Sequence, residues 1–298
     1  MVVFRNAEVT RQRVIIHAAN QTFPSPNFRR KWKAMPTYVV TGARAGIGLE
    51  YINQLSRSPS NTVIALVRST APSTDLSALE AIRSSNTATT HILECDVSSE
   101  ASITTLPGRL SAALNKGRRT PAKVDFLINN AATLQFAHQT SLKLDKTGLD
   151  VHMETNVLGP ARLVQVLLPF LTARDEGEKD GVDAAYEGGG RIAAVVANIT
   201  SGAGSLGWTS DGRVGMLAGY SISKAALNML TVHQARELRG RGIVAVAVDP
   251  GHVKTASGGP GATVEVEDSA GGILSLLAGL KSADSGGFFL CNGTSVPW

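Results

Sequence analysis

Thr37-Tyr38-Val39-Val40-Thr41-Gly42-Ala43-Arg44-Ala45-Gly46-Ile47-Gly48 is the stretch whose reading decides the fold. Tyr38-Val39-Val40 is a short apolar run of strand type, and Leu49, Ile52 and Leu55 beyond it recur at helical spacing. A strand, a glycine turn and a helix start in that order form a phosphate cradle. Glycines let the backbone approach a pyrophosphate, and the helix N-terminus offers unpaired N–H groups and the positive end of a dipole. The spacing is G-x-x-x-G-x-G, not the general G-x-G-x-x-G. Taken alone, the segment also fits an ordinary glycine-rich turn.

Outward from this turn, apolar runs alternate with helical patterns. Strands are expected at 37–41, 62–67, 89–94, 123–128, 191–197, 243–248 and 287–290, and helices near 47–57, 75–84, 99–115, 142–150, 153–173, 219–239 and 263–280. Val63-Ile64-Ala65-Leu66-Val67 and Val244-Ala245-Val246-Ala247-Val248 are apolar on both faces, as central parallel strands covered on both sides are. The expected fold is α/β: a single-domain, doubly wound (Rossmann) parallel sheet of about seven strands with helices on both faces. Ligands then belong at the carboxyl ends of the strands, near the topological switch. The polar stretch 175–190 is expected as a surface loop.

At 298 residues, 43% hydrophobic and 18% charged, the chain can bury one full core. No run approaches the ~18 consecutive apolar residues of a membrane span, so no membrane partner is expected. Cys95 and Cys291 have no paired spacing and fit a reducing compartment. The six histidines lack metal-ligand spacing, so no metal is expected. The net charge of +5 is lopsided: residues 1–34 hold seven basic side chains against Glu8 alone, which leaves the rest of the chain at −1. A nucleic-acid face therefore has no support in residues 35–298. The 1–34 segment is expected to be a basic, disordered leader. It fits a mitochondrial transit peptide and, better, an upstream extension with Met35 as the natural start; the expected compartment is then the cytoplasm.

Tyr220-Ser221-Ile222-Ser223-Lys224 places a phenol and an ammonium four residues apart on one helix face. The positive charge is expected to pull the phenol pKa down from about 10, which suits proton transfer to an oxygen at neutral pH. The spacing by itself also describes a half-buried Tyr beside a solvated Lys.

Together these residues resemble the short-chain dehydrogenases/reductases. The resemblance runs from about residue 37 to 298 and rests on seven motifs in family order: the glycine turn at 41–48, Asp96-Val97, Asn129-Asn130-Ala131-Ala132, Asn156, Ser201, Tyr220-x-x-x-Lys224 and Asp249-Pro250-Gly251. Asn61-Thr62-Val63-Ile64-Ala65 and the ending Asn292-Gly293-Thr294-Ser295-Val296-Pro297-Trp298 resemble the branch of sniffer-type carbonyl reductases and fungal norsolorinic-acid-ketoreductase-like enzymes.

The resemblance implies catalytic roles for Tyr220, Lys224, Ser201 and Asn156. Tyr220 would be the general acid for a carbonyl oxygen. Lys224 would lower its pKa and hold the nicotinamide ribose. Ser201 would hydrogen-bond the developing oxyanion, with Thr200 as its competitor, and Asn156 would hold a relay water; a structural hydrogen bond is its plainer reading. The implied nucleotide contacts are Gly42, Arg44, Gly46, Ile47, Gly48, Arg68, Asp96, Val97, Asn130, Ala131, Pro250, Gly251, Val253 and Thr255. Two departures stand out: Ala132 replaces the usual glycine, and the gap from Ser201 to Tyr220 is long. The extra residues are expected to form a loop over the substrate, with Trp208 either stacking on it or pinning the loop.

Cofactor choice follows from charge. NAD-preferring enzymes carry an acidic residue about 20 positions after the glycine turn; here Arg68 stands there, with Arg44 in the turn and no carboxylate competitor expected. Two guanidinium groups suit a 2′-phosphate, so NADP(H) is the expected cofactor and reduction the expected direction. The expected partner is a small-molecule carbonyl compound. Leu134, Phe136, Leu206, Trp208, Met216 and Leu217, in segments 133–140, 202–217 and 252–265 read as loops, suggest a hydrophobic or aromatic ketone, such as a polyketide intermediate. The assembly is expected to be a monomer or a homodimer. A non-catalytic NADP(H) sensor would predict a broken Tyr/Lys/Ser set, which is intact here. An extended-fold epimerase would carry a sizeable C-terminal substrate domain, which does not follow the last expected strand.

Overall fold

The computed structural model describes residues 35–114, 122–173, 192–213 and 217–298. The expected leader at 1–34, the surface loop at 175–190 and Met216 lie outside the described residues. Seven parallel strands form one sheet in the order β3-β2-β1-β4-β5-β6-β7. They are β1 (Thr37–Thr41), β2 (Thr62–Val67), β3 (Thr89–Glu94), β4 (Phe126–Asn129), β5 (Ala194–Ile199), β6 (Ile243–Asp249) and β7 (Phe288–Leu290). The order reverses between β1 and β4, and there ligand crevices open at the carboxyl ends.

Side-chain alternation sorts the core onto two faces. Val63, Ala65 and Val67 of β2 pack with α1 (Gly46–Ser56) and α8 (Val266–Gly279), through Ile52, Leu55, Ile273 and Leu277. Ile64 and Leu66 point the other way, toward α3 (Glu100–Leu114) and α5 (Gly159–Leu171), through Leu106, Leu110, Leu163 and Leu167. All of these are buried, each contributing roughly 1.5–3 kcal/mol relative to exposure. The remaining helices are α2 (Ser77–Ser85), α4 (Lys146–Met153), α6 (Leu206–Ser210) and α7 (Ala218–Leu238).

Several elements differ from the sequence reading, and four of the differences have a visible physical reason. β4 starts at Phe126: the N–H of Val124 turns away to Phe170 O, while Asp125 bonds Thr37 through its main-chain N–H and its Oδ2. β5 runs on to Ile199 because the amide of Asn198 is satisfied inside the core by Asn129, Thr231 and Gln234, so a polar residue costs the strand little. The expected helices at 142–150 and 153–173 are one run: Asp145 caps α4 by accepting from the Gly148 N–H, and a π turn at Glu154–Leu158 joins α4 to α5. Segment 202–217 is not all loop; it holds a 3-10 turn at Gly202–Gly204 and the short α6.

Candidate active site

Because every strand runs the same way, the carboxyl ends of β1, β4, β5 and β6 share one edge of the sheet. Gly42 and Gly46 take φ of 66° and 57°, in the left-handed region that favours glycine. A Cβ on Gly48 would sit 2.1 Å from Gly42 O, so that position takes only hydrogen. Ala45, the N-cap of α1, makes no side-chain bond, and the first turn carries no acid. The arrangement fits a dinucleotide pyrophosphate.

Other loops close around this cradle. Thr41 Oγ1 accepts from the N–H groups of Asn130 and Ala131, both at 2.9 Å, and Asn130 Nδ2 donates to Thr41 O. Asn130 thus fastens the turn after β4 onto the glycine turn from beneath, and Ala131 Cα lies 2.9 Å from where Gly42 would carry a Cβ. The Thr255 methyl lies 3.3 Å from the corresponding point on Gly46. Ile47, in the first turn of α1, is half-buried and packs against the core. After β6, Pro250 O accepts from Ser269 Oγ, Gly251 has φ 81°, and buried Val253 bridges Val264.

Two strands away, Asp96 Oδ1 accepts from the N–H and hydroxyl of Ser98, and Val97 is buried with its carbonyl against Gly159. Arg44 and Arg68 are exposed. One expectation needs correction here: Arg44 is not free of carboxylates. Its charge reaches Asp75, whose carboxyl is lowered first by hydrogen bonds from Ser77 and then by Arg44.

Tyr220 stands in the first turn of α7 with its hydroxyl hydrogen-bonded to Ser201. Ser201 Oγ also accepts from the Ala203 N–H. Thr200 is not at that junction: its hydroxyl donates to Lys224 O at 3.3 Å. Lys224 is buried, with Nζ 2.8 Å from Ile199 O and 5.6 Å from the Tyr220 ring centroid. Asn156 lies in the π turn. Its Oδ1 accepts from the Thr133 N–H, and its amide donates to Ser223 Oγ and Thr133 O. Ser223 in turn donates to Tyr220 O, so Asn156 ties the loop after β4 to the helix turn between Tyr220 and Lys224.

The electrostatics differ from the expected lowered phenol. Burial, and then the charge of Asp249, push Tyr220 well above the ordinary tyrosine value, against the hydrogen bond from Ser201. Burial pulls Lys224 down to about 7, and Asp249 opposes that fall. Desolvation outweighs the pairwise attraction because both groups lie in the protein interior.

The short chain dehydrogenase family profile matches residues 36–261. The short-chain dehydrogenase/reductase atnB of an Arthrinium species is 34% identical over 230 residues, covering 74% of this chain and 76% of that protein. The chain belongs to the short-chain dehydrogenase family. This short-chain dehydrogenase is an oxidoreductase. Among solved structures, an NADPH-bound carbonyl reductase from chicken fatty liver superposes with a TM-score of 0.74 at 31% identity, covering 89% of this chain and all of that one. The carbonyl reductase Sniffer of D. melanogaster gives 0.73 at 25%, covering 89% and 100%.

In this short-chain dehydrogenase the sequence reading names Asp249, the last residue of β6, within a motif but gives it no role. A carboxylate ending an otherwise wholly apolar central strand, at the ligand edge, was the available signal. Thr41, quoted with the glycine turn, is likewise given no role; its hydroxyl looks like an ordinary strand threonine until β4 is placed beside it.

Trp208 resolves toward the pinning role. It packs on the cluster of Ala247, Phe288 and Val296, and its ring would touch a Cβ built on Gly202, at 2.7 Å. The C-terminal tail holds the same segment, with Ser205 Oγ donating to Pro297 O and the Gly207 N–H to Trp298 O. Trp208→Ala is expected to lower the melting temperature and slow turnover of aromatic and aliphatic substrates alike, as Gly202 and Ser201 loosen. A loss confined to aromatic substrates would restore the stacking role.

Buried protons also set the alkaline limit of this short-chain dehydrogenase. Burial raises Tyr38, Tyr51 and Tyr220 above 10.0, Cys95 from 9.0 to about 12 and Cys291 from 9.0 to about 11. These raised values contribute stability below the unfolded pKa values, and it is lost as pH rises through the folded ones. Lys224 has the opposite sign, because its folded value of about 7 lies below 10.5; it adds stability between those two. Above pH 10.5 nothing in this set opposes the phenols and thiols, and the melting temperature is expected to fall steadily. Scanning calorimetry from pH 7 to 12 measures this; a flat profile would contradict it.

Proposed function

We propose that this oxidoreductase is an NADPH-dependent reductase of a ketone or aldehyde. The observation that carries the reading is the Tyr220–Ser201 hydrogen bond, formed above the buried Lys224 at the same sheet edge as the glycine cradle. Gly42, Gly46, Ile47, Gly48, Asn130, Ala131, Pro250, Gly251, Val253 and Thr255 would hold the dinucleotide. Asp96 and Val97 would meet its adenine, and Arg44 and Arg68 its 2′-phosphate. When bound, the nicotinamide supplies a hydride to the carbonyl carbon.

Tyr220 gives its phenolic proton to the carbonyl oxygen in the same step, leaving an alcohol and a phenolate. Its raised pKa keeps that proton in place at neutral pH until charge develops on the substrate. Ser201 Oγ, which accepts from Ala203, would turn its proton from Tyr220 to the developing oxyanion once substrate is bound. Lys224 as an ammonium stabilises the phenolate and would bind the ribose hydroxyls. Both amide hydrogens of Asn156 are taken, so a relay water would rest on its main-chain carbonyl in the π turn.

Exposed Phe136 and Leu206, with half-buried Leu134 and Leu217, make the segments after β4 and β5 apolar, which supports a hydrophobic or aromatic carbonyl compound, such as a polyketide intermediate. The intact Tyr/Lys/Ser set speaks against a non-catalytic sensor. Exposed Leu158, Ile222 and Met229 support a homodimer formed through these helices, and the cytoplasm is the compartment we assign. Among the described residues no helix is long and apolar enough to cross a membrane.

A panel of ketones and aldehydes, followed by loss of NADPH absorbance beside a matched NADH series, tests the reading. Turnover of an apolar carbonyl compound with NADPH preferred is expected. Equal catalytic efficiency with the two nucleotides would overturn the cofactor assignment.

A further inference from the structure

Asp249 is buried, with 6% of its surface exposed. Its Oδ1 accepts from the Gly251 N–H at 2.9 Å, and a second main-chain N–H comes from Gly202. A Cβ on Gly202 would lie 3.0 Å from Asp249 Oδ2, so glycine at 202 is what lets that backbone approach. One carboxylate therefore spans two loops with different duties: the turn holding Ser201 and the turn that closes on the cradle through Thr255.

The charged and titratable groups around it come from several elements. α7 supplies Lys224 and Tyr220, the loop after β6 supplies His252, and the residue after β7 supplies Cys291. Cys291 also feels Asp268 of α8 and is felt by Tyr51 of α1. His252 is exposed and bonded through Nε2 to Gly258 O, which leaves Lys224 as the buried cation of the group.

We propose that Asp249 is a positioning residue of the proton-transfer site, clipping the Ser201–Gly202 turn to the Pro250–Gly251 turn beside the buried Lys224. The inference rests on Tyr220 and Lys224 being the proton-transfer pair. Burial drives Lys224 toward neutrality and raises the Asp249 carboxyl, and each charge opposes the other's shift. The same charge holds the Tyr220 proton more tightly. Removing it lowers both pKa values, so the alkaline loss of activity moves to lower pH.

In Asp249→Asn the alkaline limb of the kcat profile is expected to fall by about one pH unit. The kcat of Asp249→Asn at neutral pH is expected to fall below wild type, because less of Lys224 carries its proton there. Asp249→Glu, which keeps the charge, is expected to keep the wild-type limb. An Asp249→Asn enzyme with an unmoved limb would overturn the proposal.

Should Asp249→Asn not fold, the reciprocal measurement serves. The Asp249 carboxyl carbon, followed by NMR in wild type and Lys224→Met, is expected to titrate at higher pH in the variant, which lacks the cation. Identical midpoints would overturn the proposal. This readout needs no turnover, so it separates failure of the clip from failure of the reductase reading, which full activity of Tyr220→Phe would reveal instead.

Discussion

Tyr220→Phe is expected to cut kcat by about 10²–10⁴, the range for loss of a positioned general acid, while NADPH affinity stays close to wild type. The ring remains and only the oxygen goes, so the edge contact with His152 at 6.1 Å and the Lys224 cation above the ring are kept. Lost are the transferable proton and the bond to Ser201. Steady-state kinetics with a turned-over carbonyl substrate, beside a fluorescence titration with NADPH, measure the two effects separately. Unchanged turnover would defeat the mechanism; turnover and affinity falling together would assign Tyr220 to the nucleotide alone.

The second large effect is on nucleotide choice. Arg44→Ser with Arg68→Asp is expected to move the ratio of kcat/KM for NADPH over NADH by about 10²–10³, since each hydrogen bond to a charged group is worth about 1.5–3 kcal/mol. The new carboxylate at 68 would repel a 2′-phosphate and accept from a 2′-hydroxyl. Arg68 stands about 20 positions after the turn, where NAD-preferring enzymes carry their acidic residue, so it is expected to account for the larger part. A ratio unchanged in the double variant would remove both residues from the phosphate site.

The fold was legible because its strands are apolar on both faces and punctuated by glycine. Val63 to Val67 and Val244 to Val248 have no alternative as buried parallel strands, and both appear where expected. What misled was polar chemistry satisfied at a distance. Asn198 extends β5 only because Thr231 and Gln234, more than 30 residues later, meet its amide. The Asp125 side chain takes the N–H of Thr37, 88 residues earlier. Local patterns carry no trace of such partners.

The site divides in the same way. Residues whose chemistry is set by type and order, among them Gly48, Ser201, Tyr220 and Lys224, could be read one by one. Their electrostatics could not, because the pKa of a buried pair depends on everything that excludes water from it. Spacing alone suggested an ammonium lowering a phenol; three-dimensional burial reverses the direction and brings in Asp249 as the third charge. Trp208 is a similar case, since its packing partners Phe288 and Val296 lie some 80 residues downstream.

Hydride transfer beside Tyr220 is best tested with NADPH carrying deuterium at both C4 positions, incubated with the enzyme and an apolar ketone, with the product analysed by mass spectrometry. One deuterium on the carbinol carbon for each NADPH consumed is the result this mechanism requires. NADPH bound without consumption across the carbonyl panel, or consumed with no deuterium in the alcohol, would contradict it.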